Sequence, residues 1–335
     1  MRTTDRRTAI ALGTTAIGVS VGAAAIGAGA YGQSEPAPLI NRIRMTTIGA
    51  ADIDAVATWF SQWLGYRITD VGKIGAEVAA SWGAPGMAGR GYAIVAPPAS
   101  KDVGIRVVQI DVPDGAKASG TFGWSGVEII CEDVHKLYEK FKDGPVHVIR
   151  PPSSLGEPFA SIHAMQVQGP ADVVVAITTE TGDREASNLP VPKSAVDRVF
   201  LVGVNGTEAG VLRKFYIDTF AMRPGPVFDS PSPRLAKELG LPESTIFGLT
   251  LVRAAQKGNT VELHGLPPPG GPRKQTAGQL PPGVAMVSFG VGDLDALKLD
   301  FLTPPAKRAK MGYGNARAAT FVGPAGELIE LIEEK

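Results

Sequence analysis

One stretch of this chain occurs twice, and that repetition constrains the fold more than any other feature. Asn41-Arg42-Ile43-Arg44-Met45-Thr46-Thr47-Ile48-Gly49 leads into Thr58-Trp59-Phe60 and Leu64-Gly65-Tyr66-Arg67. Without a gap, 156 residues on, Asp197-Arg198-Val199-Phe200-Leu201-Val202-Gly203-Val204-Asn205 leads into Lys214-Phe215-Tyr216 and Phe220-Ala221-Met222-Arg223. Arg42 falls on Arg198, Trp59 on Phe215 and Arg67 on Arg223. Self-similarity at so long a period means a duplicated structural unit.

Ahead of the first copy, Arg6-Arg7 precede a segment without charge until Glu35, mildly apolar because it is rich in Ala, Gly and Thr. Ala28-Gly29-Ala30 offers the small residues a signal peptidase cuts at. The pattern resembles a twin-arginine export signal. Residues 1–30 are therefore expected to be a signal peptide, and the mature chain periplasmic or secreted. Cleaved, it would keep no stable membrane anchor; uncleaved, the run is long enough to span a bilayer. Gly27-Ala28-Gly29-Ala30-Tyr31-Gly32 matches the dinucleotide fingerprint in letters. It follows no strand pattern and precedes Gln33-Ser34-Glu35-Pro36, so no nucleotide cofactor is expected.

The chain carries 33 basic and 33 acidic residues with no basic stripe, so a nucleic-acid partner is not expected. The single cysteine, Cys131, allows no internal disulfide and no cysteine-based metal site. About 300 mature residues suggest two ordinary domains.

Each half divides again. Residues 40–48 are rich in β-branched side chains and end at Gly49-Ala50-Ala51-Asp52. Asp52 can cap a helix whose apolar face is Ile53, Val56, Ala57, Phe60 and Leu64, with Gly65 ending it. Three more strand patterns follow. A second such unit begins at Gly126, a third at Val196 and a fourth at Val284. Residues 184–195, polar and broken by Pro190 and Pro192, read as an interdomain linker between halves 38–183 and 196–335. The Pro- and Gly-dense residues 265–283 suit neither a strand nor a helix interior. Gln168-Gly169-Pro170-Ala171-Asp172 before Val173 matches Val322-Gly323-Pro324-Ala325-Gly326 before Glu327.

Asp133 and Asp293 at strand-to-helix turns, the Lys214-Phe215-Tyr216 helix, and Gly323-Pro324-Ala325-Gly326 before Glu330 carry a resemblance to the vicinal oxygen chelate (VOC) superfamily. That superfamily includes glyoxalases, extradiol dioxygenases and bleomycin-resistance proteins. The resemblance implies an α+β fold of four βαβββ modules paired into two tandem glyoxalase-like domains. In such proteins two modules form a cup around a small-molecule ligand, and metal-binding members place His, Gln or Glu on the first and last strands.

Tested position by position, Glu262 and Glu330 stand on last strands, with His264 on the same strand face as Glu262. These three are the candidate ligands of a divalent metal in the second half, with Glu330 also the candidate catalytic carboxylate. A carboxylate among apolar groups must pair, bind a cation or stay protonated. The first-strand positions, read as Met45, Gly126, Arg198 or Leu201, and Met286, are not usual ligands. Gln109 is read at the place of Glu262, and Ala176 at that of Glu330. Two histidines for an iron triad are lacking, which argues against extradiol dioxygenase chemistry. Arg198, His163 and Arg317 are candidates for binding a substrate anion. Three readings stay open: a metal-assisted lyase or isomerase, a metal-free enzyme, and a non-catalytic cup sequestering a small oxygenated apolar or aromatic molecule.

Overall fold

The computed structural model describes residues 36–100 and 102–334, so the expected signal at 1–30 lies outside the described residues. The first module holds β1 (Ile40–Ala50), α1 (Ile53–Leu64), β2 (Arg67–Lys73), α2 (Ala76–Ser81), β3 (Gly91–Ala96) and β4 (Gly104–Gln109). The second holds β5 (Gly123–Cys131), α3 (Val134–Phe141), β6 (Val148–Ser154), β7 (Ile162–Gln168) and β8 (Val174–Glu180). The third holds β9 (Val196–Gly206), α4 (Ala209–Phe220), β10 (Arg223–Pro231), α5 (Pro233–Leu239), β11 (Ile246–Arg253) and β12 (Thr260–Gly265). The fourth holds β13 (Gly283–Val291), β14 (Ala306–Lys307), β15 (Arg317–Val322) and β16 (Leu328–Glu333).

Local chemistry explains these elements. The Asp52 carboxylate accepts the Ala55 N–H at the start of α1, and Gly65 closes it with φ 72°. Val56, Ala57, Phe60, Trp63 and Leu64 are buried on one face. The fourth module lacks the helix its Asp293 suggests. There the Asp293 carboxylate accepts the N–H of Asp295, two residues on, at 2.8 Å. That local bond competes with helix formation, and a turn carries Leu294 and Leu297 into the core.

The modules pair across the two halves of the sequence. β1 runs antiparallel to β13, and β5 antiparallel to β9. One eight-stranded sheet has the order β14-β15-β16-β13-β1-β4-β3-β2, the other β10-β11-β12-β9-β5-β8-β7-β6. The first module thus joins the fourth, and the second joins the third. Segments 38–183 and 196–335 each supply half of both sheets, so no cup is built from residues 196–335 alone. Residues 184–195 connect β8 to β9 inside one sheet, with Leu189 buried. The reason is that every module offers the same kind of open edge on its first strand, and hydrophobic alternation does not name the partner of that edge.

The chain passes between sheets twice, at residues 110–122 and 266–282. Arg273 ties the two crossings together. It donates to Thr121 Oγ1 at 2.9 Å and to the carbonyls of Trp124, Pro282 and Val284 at 2.5, 3.0 and 2.9 Å. Burial draws its pKa down to about 10. The largest apolar cluster joins α1, α3 and α4 to strands of both sheets. Within it, Trp124 of β5 meets Phe289 of β13 at 6.0 Å between ring centroids. The concave face of each sheet is left to a separate set of residues.

Candidate functional site

Alternate residues of a strand share a face, and the registers bring inner positions of first and last strands together. In the first sheet Thr47 is beside Arg106, and Ser288 beside Glu330. In the second, Gly203 is beside Glu262, and Glu128 beside Ala176. The ungapped repeat carries Thr47 onto Gly203 and Arg106 onto Glu262. Arg106, rather than Gln109, therefore stands at the place of Glu262; Gln109 ends β4 exposed. Each first-strand position lies two residues beyond the one read from the sequence, at Thr47, Glu128, Gly203 and Ser288.

The first cup is filled by a closed ion pair. Arg106 and Glu330, 0% and 1% exposed, meet at 3.2 Å. Glu330 also accepts from Trp82 Nε1 at 2.9 Å and from the hydroxyls of Tyr313 and Ser288, each at 2.5 Å. Arg106 donates to the Met311 carbonyl at 3.1 Å, and its guanidinium lies 4.8 Å from the Tyr313 ring centroid and 5.3 Å from that of Trp82. Burial works against the Arg106 charge, yet Tyr313 and Glu330 hold its pKa above the ordinary value. Met45, Ile94, Val108, Met286 and Ile332 pack around this centre. The guanidinium supplies the positive charge that the carboxylate needs, and the donors around Glu330 satisfy both oxygens.

The second cup is arranged differently. Glu128, Gly203, Ala176 and Glu262 line a cavity of about 40 Å³, together with Ser125, Gln166, His264 and Arg234. Glycine and alanine at two inner positions leave this space. Glu128 accepts one bond, from the Thr178 hydroxyl. Glu262 Oε1 lies 2.7 Å from His264 Nε2. The remaining atoms, Glu128 Oε2, Glu262 Oε2 and His264 Nδ1, are buried without a hydrogen-bond partner. Such atoms are costly to leave unmet. Burial, the largest effect, pushes the Glu128 carboxyl up to about 8; the Thr178 hydroxyl opposes it, the neighbouring charge of Glu262 adds to it, and Arg150 opposes it least. Glu128 is therefore a proton donor at neutral pH.

Glu262 and His264 come together as their spacing on β12 requires, but Glu330 belongs to the other cup. The expected Glu262–His264–Glu330 set is not assembled, because β16 pairs within the first sheet. None of the three residues expected to bind an anion lines the cavity of the second cup. Arg198 pairs with Asp197 at 2.8 Å. His163 Nδ1 lies 2.7 Å from the His135 Nε2 of α3. Arg317 pairs with Asp295 at 2.5 Å and Glu333 at 3.4 Å. Arg42 joins the first and fourth modules through Glu334 at 2.8 Å.

The donor sets do not fit a divalent metal. In the first cup a guanidinium occupies the centre. In the second, two of four inner positions carry no donor, and His264 turns its Nε2 to Glu262. Among the described residues no group of three or more His, Cys, Asp or Glu side chains is placed to hold a metal. No described helix is long and apolar enough to cross a membrane.

No known protein family and no curated protein matches the sequence. Solved structures do match. Glyoxalase I from Zea mays aligns with a TM-score of 0.58 at 15% identity, over 87% of this chain and 92% of that one. A Bacillus subtilis protein proposed to be a dioxygenase aligns with a TM-score of 0.58 at 13% identity, over 89% of this chain and 86% of that one. At such identities the likeness establishes the fold alone, a glyoxalase-like arrangement of four modules in two eight-stranded sheets.

Proposed function

We propose that this protein uses its second cup to bind a small oxygenated molecule and to move a proton on it without a metal. The observation that carries this reading is that three buried polar atoms lacking partners, on Glu128, Glu262 and His264, bound one cavity. Glu128, protonated at neutral pH, donates to a carbonyl oxygen. Glu262 accepts a proton from the adjacent carbon or hydroxyl, with His264 orienting the carboxylate. Return of the two protons to exchanged positions would complete an isomerisation; loss of a leaving group would make it a lyase. The first cup, whose corresponding carboxylate is fully engaged, serves as a structural centre.

Ligand screening by thermal shift and ligand-observed NMR tests the reading. Small hydroxy- and oxo-compounds should bind the wild-type protein, and Glu128→Gln and Glu262→Gln should abolish turnover of whichever compound is converted. Equal binding and conversion by both variants would remove the second cup from consideration. Binding without conversion would favour a sequestering role. We also propose export directed by Arg6-Arg7; retention of an Arg6→Lys, Arg7→Lys variant in the cytoplasm, with the wild type in the periplasm, is the expected fractionation result.

A further inference from the structure

We infer that α5 is a lid over the second cup and that its Arg234 selects ligands bearing a carboxylate beside a hydroxyl or oxo group. The inference rests on the reading of the second cup given above and adds the substrate class.

The cavity of about 40 Å³ is little more than the volume of one water in the liquid. A ligand of several carbons therefore needs a wall to move, and α5 is the wall outside the ladders of the sheet. Its apolar contacts, through Leu235 and Ala236, belong to a small cluster with Phe247 and Leu266 that is separate from the main core. Its polar contacts avoid the site's carboxylates. Arg234 Nη1 donates to Ser119 Oγ at 3.0 Å and to Glu238 Oε1 at 2.7 Å, and Ser119 Oγ donates to Glu238 Oε2 at 2.5 Å. The corresponding cover of the first cup is bonded to its centre, since Trp82, directly after α2, donates to Glu330. α5 can lift without breaking any hydrogen bond to Glu128, Glu262 or His264.

Arg234 lines the cavity, and among the described residues only its Nη1 is engaged. Its partner Glu238 lies one turn away on the same partly open helix, and such a pair is weakly held. A guanidinium matches a carboxylate bidentately, so a ligand carboxylate can take the nitrogens that Glu238 leaves free. The other bounding groups are a proton donor at Glu128 and an acceptor at Glu262. Arg234 and both glutamates line the same small cavity, so a short ligand meets all three when its hydroxyl or oxo oxygen sits on the carbon next to the carboxylate. That describes a 2-hydroxy or 2-oxo acid.

The test uses the full chain and two matched probe sets, the 2-hydroxy and 2-oxo acids of three to five carbons (lactate and pyruvate being the smallest) and their neutral amides. Affinities are read by calorimetry or NMR titration. The acids should bind the wild type about ten-fold or more tighter than the amides, the expected size of a charge-assisted bidentate contact. Arg234→Gln should bring acids and amides to parity, while Glu128→Gln weakens both sets. Amides binding as well as acids to the wild type would overturn the role of Arg234 and leave the second-cup reading standing. Binding of neither set at millimolar concentration would overturn both. Arg234→Lys, which keeps charge but not the fork, should recover only part of the preference; an unaltered preference in Arg234→Gln, with an unchanged unfolding midpoint, would also sink the inference.

Discussion

The two cups share one architecture and differ in how they treat a buried carboxylate. In the first, Glu330 receives Arg106, Trp82, Tyr313 and Ser288, and no oxygen is left unmet. In the second, Glu128 and Glu262 each keep an oxygen without a partner, beside the space left by Gly203 and Ala176. A satisfied carboxylate is a structural element. An unsatisfied one is poised for something that is not part of the chain. The difference comes from a few side chains: arginine against glutamate on one last strand, glutamate against alanine on the other, and serine against glutamate and threonine against glycine on the first strands.

The largest effect should come from breaking the closed centre. Arg106→Met takes the positive partner from Glu330, and removing one partner of a buried pair costs about 3–5 kcal/mol. Urea unfolding should show that loss. Replacing both residues by methionine should recover part of it, since no counter-charge is then needed, although the Trp82, Tyr313 and Ser288 donors lose Glu330 as their acceptor. In the second cup Glu262→Met should cost less, because it removes one oxygen already without a partner and gives up only the contact with His264 Nε2. Equal losses in the two cups would erase the distinction drawn here.

A pH series sharpens the comparison. In the folded protein Glu128 stays protonated to about pH 8, against an ordinary value of 4.5 in the unfolded chain. Between these values the folded state holds the extra proton, so the contribution of this group to stability is fully present below the lower value and is lost as pH rises towards the upper. The loss should reach on the order of a few kcal/mol by pH 8. Glu327, raised by burial to about 7, adds to the same slope. Glu128→Gln should flatten the wild-type profile in part, leaving the contribution of Glu327. A profile as steep as the wild type's would mean that Glu128 is ionised throughout. A smaller effect belongs to the first cup: Trp82→Phe removes one donor to Glu330 and should cost about 1–3 kcal/mol in the same unfolding measurement.

Much of this is legible in the sequence. The repeat, the Asp52 cap and the Gly65 stop locate the modules because they depend on neighbours in sequence. Glu262 and His264 were found because two residues apart on a strand means one face. Arg106 was missed by reading Gln109 at its place, although the ungapped shift that matches Arg42 to Arg198 also carries Arg106 to Glu262. Glu128 was missed because each first strand was read two residues early, at Gly126. Its own signal resembles that of Glu330: a carboxylate within the apolar run Val127-Glu128-Ile129-Ile130. The separation of Glu262 from Glu330 had no local signal. Which first strands pair is decided by edges far apart in sequence, β5 with β9 and β1 with β13, and both pairings use the same alternation.

The smallest change in stability should accompany the sharpest change in function. Gly203 takes no left-handed backbone conformation, so alanine suits its strand and narrows the unfolded ensemble. Against that gain, the new Cβ would come within 2.7 Å of Ser125 Oγ, with the next neighbour, the Gly126 nitrogen, at 3.8 Å. A serine side chain can rotate away, so the two effects should nearly cancel, to within about 1 kcal/mol. Yet the methyl group and the displaced hydroxyl enter a cavity that has room for little more than one water. Gly203→Ala should therefore keep the wild-type unfolding midpoint and lose small-molecule binding in the same titrations. Retained binding with unchanged stability would show that the ligand does not reach the floor of the second cup, where Glu262 stands beside Gly203, and would move the site outward towards α5.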